Sequence, residues 1–270
     1  MGSNAHKPSF REVRDFAHAL ADLTGPVILP HFRKPLVVEN KDKTGAFDPV
    51  TKADRAAERV IAKALTARFP DHTLTGEEFG TKTGTSSYRW IVDPIDGTRA
   101  FIIGSPMWGT LIGLLDGDTP VLGLMDQPFT GERVWSDEKA SYLRTRDGKA
   151  RKLKTRGCGR LTDAILTSTH PDLFEAGAQQ AVLARLKASV RMTRYGGDCY
   201  GYCLLAAGHV DLIVEAGLKS YDIAALIPII ERAGGIVTTW DGQPAHNGGN
   251  IIAAGDARVH AAAMRVISKT

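Results

Sequence analysis

Cysteine is scarce in this sequence: three among 270 residues, Cys158, Cys199 and Cys203. An odd number without metal-type spacing offers neither a disulfide framework nor a zinc site, so a reduced, cytoplasmic setting is expected. Long apolar runs are missing too. The longest, Ile223 to Ile230, contains Pro228 and is far too short to cross a bilayer, so no membrane partner is expected. The opening MGSNAHKPSF has no apolar signal core, and residues 1–5 stay outside the fold reading. Net charge is small, +4, which suits an anionic small substrate and gives little reason to expect nucleic acid. The densest basic stretch, 144–160, has only Tyr142 near enough to stack on a base, so it reads as a solvated hairpin and linker. Internal repeats and low-complexity segments are absent.

What is present is a globular composition, 43% hydrophobic and 24% charged. Phe10, Val13, Ala17 and Leu20 recur at helical spacing, as do Ala57, Val60, Ile61, Ala64 and Leu65, the second helix ending at Phe69-Pro70-Asp71. From Tyr88 the period shortens. β-rich runs at 88–92, 108–115, 120–126, 132–136, 140–145 and 149–154 are joined by turns such as LDGDTP and RDGK. This half predicts two helices on an antiparallel meander. The second half alternates: strand AILTST, helix 171–188, strand VRMTRY, helix 198–208, strand VDLIVEA, helix Tyr221 to Arg232, strands GGIVTTW and NIIAAG, and a helix from Arg258. The expected fold is therefore α+β passing into α/β, with an N-terminal domain over 6–157 and a C-terminal one over 158–270.

The acids are the chemically suggestive residues. In WIVDPIDGTRAF a strand ends in Asp93 and Asp96, three residues apart. Two carboxylates about 4 Å apart at an effective dielectric of about 20 repel by roughly 4 kcal/mol. Something positive should lie between them, or one must stay protonated. Pro94 keeps Asp93 out of helical conformation, Gly97 permits a tight turn, and the amides after it open a short helix suited to phosphate. Two carboxylates and the Ile95 carbonyl are hard oxygen ligands of the kind Mg²⁺ takes. The same six residues also read as an Asp-Pro turn with Asp96 as a helix cap. Glu77 and Glu78 follow a glycine turn; Asp54 stands three residues after Thr51, a capping-box pattern; Asp222 opens an apolar helix, where the dipole favours an acid.

The stretches GEE, WIVDPIDGT and YDIAA, in that order, resemble the inositol monophosphatase superfamily of Mg²⁺-dependent phosphatases, over nearly the whole chain. DPIDGTRAFIIGSPMWGTLIGLL, PVLGLMDQPFTGERVW and YGGDCYGYCLLAAGHVDLIVEAGLKSYD are similar to the histidinol-phosphate phosphatase subgroup; inositol-specific members usually continue DGTTNF, where this chain has Thr98-Arg99-Ala100-Phe101. The resemblance implies a layered αβαβα sandwich, a homodimer, a small phosphate ester as substrate and two or three Mg²⁺ per site. It implies that Glu77, Asp93 and the Ile95 carbonyl hold one metal, and that Asp93, Asp96 and Asp222 hold a second. Glu77 would reach a third. Thr98, paired with Asp54, would orient the attacking water, and the amides of Gly97 and Thr98 would hold the phosphate. No covalent phosphoenzyme is needed.

Two other classes compete. A haloacid-dehalogenase-type aspartyl-phosphate enzyme uses D-x-D, whereas this chain has D-x-x-D. DKTGA at Asp42 to Ala46 lacks the final threonine of the cation-pump loop and reads as a loop that closes over the site. The non-enzyme alternative is a catalytically dead metal-binding interaction protein, against which the full set of acids and Thr98 stand. For the organic part of the substrate the resemblance points to Asp198 and Glu215. Inositol enzymes share an acid at the second place but carry a small apolar residue at the first. Asp198 is equally a helix cap for 199–208 by its position. Arg99 is a further substrate contact or a surface ion pair. Histidinol phosphate, with its cationic amine, is the expected ester; inositol monophosphate, fructose bisphosphate and 3′-phosphoadenosine nucleotides are the other candidates.

Overall fold

The computed structural model describes residues 7–40 and 49–269; the DKTGA loop lies outside them. Helix α1 (Phe10–Ile28) starts at a capping box, the Ser9 hydroxyl accepting the Glu12 amide while the Glu12 carboxylate accepts that of Ser9. Strands β1 (Val38–Asn40) and β2 (Pro49–Thr51) pair with each other. Helix α2 (Lys52–Arg68) then begins at Thr51. An eight-stranded sheet follows, built from β3 (Thr73–Gly76), β4 (Gly80–Lys82), β5 (Tyr88–Asp96), and, after the short helix α3 (Thr98–Ile102), β6 (Gly109–Asp116), β7 (Thr119–Gln127), β8 (Glu132–Ser136), β9 (Ser141–Arg144) and β10 (Ala150–Lys152). Its order is β10-β9-β8-β7-β6-β5-β3-β4. The meander is antiparallel as expected from β5 to β10, but β3 pairs with β5 in parallel, because β4 turns back along the outer edge of β3 and residues 83–87 return the chain to the start of β5.

The second sheet comprises β11 (Ile165–Ser168), β12 (Met192–Tyr195), β13 (Leu212–Lys219), β14 (Ile236–Thr239) and β15 (Gly248–Ala254), in the order β12-β11-β13-β15-β14. Between these strands run α4 (Ala178–Ser189), α5 (Asp198–Ala206), α6 (Ser220–Ile223) and α7 (Leu226–Arg232), and α8 (Ala257–Ile267) closes the chain. Two expected helices are shorter than their sequence patterns. The span 171–188 opens as a 3₁₀ turn at Pro171–Leu173 before α4 starts. The span 221–232 breaks between α6 and α7 at Ala224 and Ala225, where the chain presses onto the first sheet: a Cβ at Gly113 would lie 3.0 Å from the Ala225 nitrogen.

The layers are legible from the cores. α1 and α2 cover one face of the large sheet through Leu20, Ile61, Leu65, Trp90 and Leu124. Its other face packs Leu111, Met125 and Val134 on α5 and α7, which meet Ile213 and Ile251 of the second sheet in the same cluster. α4 and α8 cover the far side through Leu186, Val214, Ile252 and Val259. The result is an αβαβα sandwich, and one continuous core joins residues on both sides of the 157/158 line. Among the described residues, no helix is long and apolar enough to cross a membrane.

Candidate active site

In a regular strand, residues three apart point to opposite faces. Asp93 and Asp96 escape this because β5 is irregular between them. Asp93 faces Leu111 and Asp96 faces Gly109, so two residues of β5 stand against one of β6. Pro94, which has no amide proton, lies in the bulge, and its carbonyl accepts the Thr110 hydroxyl at 2.8 Å. The Asp93 carboxylate accepts the Ile95 amide at 2.9 Å, closing the turn from within. Gly97 follows at φ 84, where a Cβ would lie 2.8 Å from the Met107 carbonyl oxygen. Gly97, not Asp96, is the cap position of α3, so the sequence reading of Asp96 as a helix cap does not hold. The Asp96 carboxylate instead accepts the Cys199 amide at 2.8 Å, across the layer interface.

Asp222 arrives from the first turn of α6, its carboxylate accepting the Lys219 amide at 2.6 Å. Asp93, Asp96 and Asp222 each offer an oxygen within 4.8 Å of the others. Burial first, and then the charges of Glu77, Asp96 and Asp222, push the Asp93 carboxyl well above the usual carboxylate range. Asp96 is raised likewise, by burial and then by Asp222 and Asp198. Like charges held this close, on oxygen donors, make a fitting place for a divalent cation.

Asp54 does form the capping box, one oxygen accepting the Thr51 amide at 2.8 Å and the Thr51 hydroxyl at 2.5 Å. The other oxygen, Oδ1, is buried without a hydrogen-bond partner among the described residues. Capping therefore explains half of this carboxylate and leaves half aimed at something else. The Thr98 hydroxyl donates to the Ile95 carbonyl at 3.1 Å. Glu77 sits on the turn after β3, its charge acting on both Asp93 and Asp54. That turn is clamped by a residue the sequence reading passed over. Glu58, one helical turn beyond Asp54 and 1% exposed, accepts the amides of Glu78 at 2.8 Å and Phe79 at 3.0 Å. Its i, i+4 spacing from Asp54 on the helix face that turns inward was the available signal.

Beside the acids lies a cleft of about 550 Å³, lined by Gly97, Thr98, Arg99, Ile103, His170 and Asp198 among others. A smaller cavity of about 160 Å³ shares Thr169, Leu173 and Asp198 with it and reaches Asp96, Asp222, Glu215 and Tyr202. Asp198 does not cap α5: the cap position is Gly197, with no side-chain bond, and Asp198 is the first helical residue, at φ 41. Burial pushes its carboxyl up to about 6, against the opposing pull of Arg99. Glu215 is 2% exposed and accepts the Thr169 amide at 2.8 Å, the Thr169 hydroxyl at 2.9 Å and the Ser168 hydroxyl at 3.3 Å. Burial outweighs these donors and pushes it to about 8. The β5 bulge, α5, β13 and α6 thus bring together Asp93, Asp96, Asp198, Glu215 and Asp222, from three separated stretches of chain.

Comparison with known proteins adds the family context. Residues 9–269 match the model of the inositol monophosphatase family. A chloroplastic bifunctional phosphatase of Arabidopsis thaliana, IMPL2, is 39% identical, the match covering 98% of this chain and 81% of that protein. A histidinol-phosphatase of Streptomyces coelicolor is 36% identical over 94% of this chain and 96% of its own length. Among solved structures, an inositol monophosphatase from Zymomonas mobilis superimposes with a TM-score of 0.84 at 38% identity, covering 97% of this chain and 100% of that one.

Proposed function

The chain belongs to the inositol monophosphatase family, as a phosphatase of that fold, and from this premise we propose that it hydrolyses L-histidinol phosphate to L-histidinol and phosphate with Mg²⁺ as cofactor. The carrying observation is the pair Asp198 and Glu215: two carboxylates raised by burial in a cavity that also touches Asp96 and Asp222. A neutral polyol ester would leave Asp198 with only the pull of Arg99 and Glu215 with no counter-charge. An ester bearing an ammonium group would meet one, and desolvated charge pairs of this kind discriminate strongly between partners. Histidinol-phosphatases among the relatives support the same reading.

In this proposal Glu77, Asp93, the Ile95 carbonyl, Asp96 and Asp222 hold the cations. Bound Mg²⁺ would supply charge for the phosphoryl oxygens and acidify the attacking water. The chain's own groups do the rest. Thr98 and the free oxygen of Asp54 orient the water and take up its proton, and the backbone at Gly97 and Thr98 positions the phosphate. Asp198 and Glu215, with Arg99 at the rim of the cleft, select the organic part. Two such chains forming a homodimer belong to the same proposal.

The test is phosphate release with and without Mg²⁺ from L-histidinol phosphate, inositol 1-phosphate, glycerol phosphate, fructose 1,6-bisphosphate and 3′-phosphoadenosine 5′-phosphate. Histidinol phosphate should give the highest kcat/KM, and only with Mg²⁺. Preference for inositol phosphate would overturn the substrate. No Mg²⁺-dependent release from any ester would favour a catalytically dead binding protein.

A further inference from the structure

Tyr202 is 3% exposed, and its hydroxyl is buried without any hydrogen-bond partner among the described residues. It stands on the second turn of α5 and lines the smaller cavity together with Asp96, Asp198, Glu215 and Asp222. A buried hydroxyl without a partner costs about 1–3 kcal/mol relative to one that is satisfied, so such groups call for an explanation. Packing alone supplies none, since phenylalanine would fill the same ring volume without the orphaned oxygen. Burial first, and then the charges of Glu215, Asp96 and Asp222, hold the phenol's proton in place.

We infer that Tyr202 is a specificity-determining residue, its hydroxyl completing, with Asp198 and Glu215, a three-oxygen cradle for a primary ammonium group of the substrate. The inference rests on the proposed substrate and goes beyond it by assigning which nitrogen enters the small cavity. An ammonium group radiates three donors from one atom and suits three acceptors lining one small space. An imidazolium carries two N–H donors that diverge across a ring. The ring therefore belongs in the larger cleft, past Asp198 toward Leu173 and His170. The ligand class is a phosphate monoester with an amine close to the ester oxygen, since the same cavity reaches the acids of the proposed metal site.

The test compares wild type with Tyr202→Phe on two esters of one size, 2-aminoethyl phosphate and 2-hydroxyethyl phosphate, with Mg²⁺ present. The wild type should favour the amine in kcat/KM by more than tenfold. The variant should lower that ratio about tenfold, mainly through KM for the amine, as expected for one hydrogen bond to a charged group. Because the hydroxyl has no partner to lose among the described residues, Tm should hold or rise. A falling Tm would reveal a structural hydrogen bond and overturn the inference. So would an amine-to-alcohol ratio equal to that of wild type, and that result would leave the histidinol phosphate reading standing. A wild type indifferent to the amine would remove the substrate reading and this inference together.

Discussion

At the scale of single residues, the site is a concentration of like charge. Asp93 lies at its centre, 2% exposed, its carboxyl raised first by burial and then by three neighbouring carboxylates. Asp93→Asn should reduce Mg²⁺-dependent phosphate release by at least about a thousandfold, the scale of losing a charge-stabilising group from a water-excluded site. In chelator the same variant should melt at or above the wild-type temperature, because repulsion is relieved. Near-normal hydrolysis at low millimolar Mg²⁺ would sink the assignment. Asp54 divides its two oxygens between a helix cap and an unpartnered position. Asp54→Asn keeps one acceptor for Thr51, so its stability loss should stay near 1 kcal/mol. Its kcat should fall about a hundredfold with KM little changed, as for a group acting in the transition state. A variant that loses stability yet keeps its rate would mark Asp54 as a cap alone.

At the scale of elements, two contacts hold the site's supports. The turn carrying Glu77 hangs on Glu58, and Gly76 leaves the room, since a Cβ there would fall within the Glu58 carboxylate. Gly76→Ala should displace that turn and weaken Mg²⁺ binding about tenfold, as read by calorimetry as well as by Mg²⁺ titration of the rate. Unchanged Mg²⁺ affinity would show that the clamp does not position Glu77. The second contact seats α1 on the large sheet. His18 lies near Arg133, which reaches its backbone oxygen and ring nitrogen at 3.3 Å, and packs edge-on against Trp135. Burial first, then the Arg133 charge, lower its pKa from 6.5 to about 4. The unfolded chain takes up this proton first as pH falls. The stabilising contribution is therefore complete above about 6.5 and lost as pH drops through about 4. Between pH 7 and 4.5, His18→Gln should lose less urea resistance than wild type. Equal losses would remove His18 from the acid response.

At the scale of the whole molecule, metal and fold should be linked, since acids from both sides of the layer interface share one site. Mg²⁺ at a hundred times its Kd should add about 2.7 kcal/mol to stability, and roughly 5–10 °C to Tm for a chain of this size. A Tm indifferent to Mg²⁺ and chelator would contradict a site formed only on folding. Much of this was legible in the sequence. Helical spacing and turn chemistry located most elements to within a few residues, and D-x-x-D with Asp54, Glu77 and Asp222 marked the acids, because local propensity and motif spacing are written along the chain. The rest was not local. Whether Asp93 and Asp96 share a face depends on a bulge set by pairing with β6. Whether Asp198 caps a helix or faces a cavity depends on a backbone at φ 41 at the start of α5, packed closely against Gly97. The break before α7 depends on how closely Gly113 lets the chain approach the sheet. Glu58 and Tyr202 carry no motif at all, and their roles exist only once a distant turn or cavity wall is folded against them. The sequence alone determined which groups could do the chemistry; the tertiary structure decided which of them meet, because convergence of carboxylates against their own repulsion requires the packed layers to hold them there.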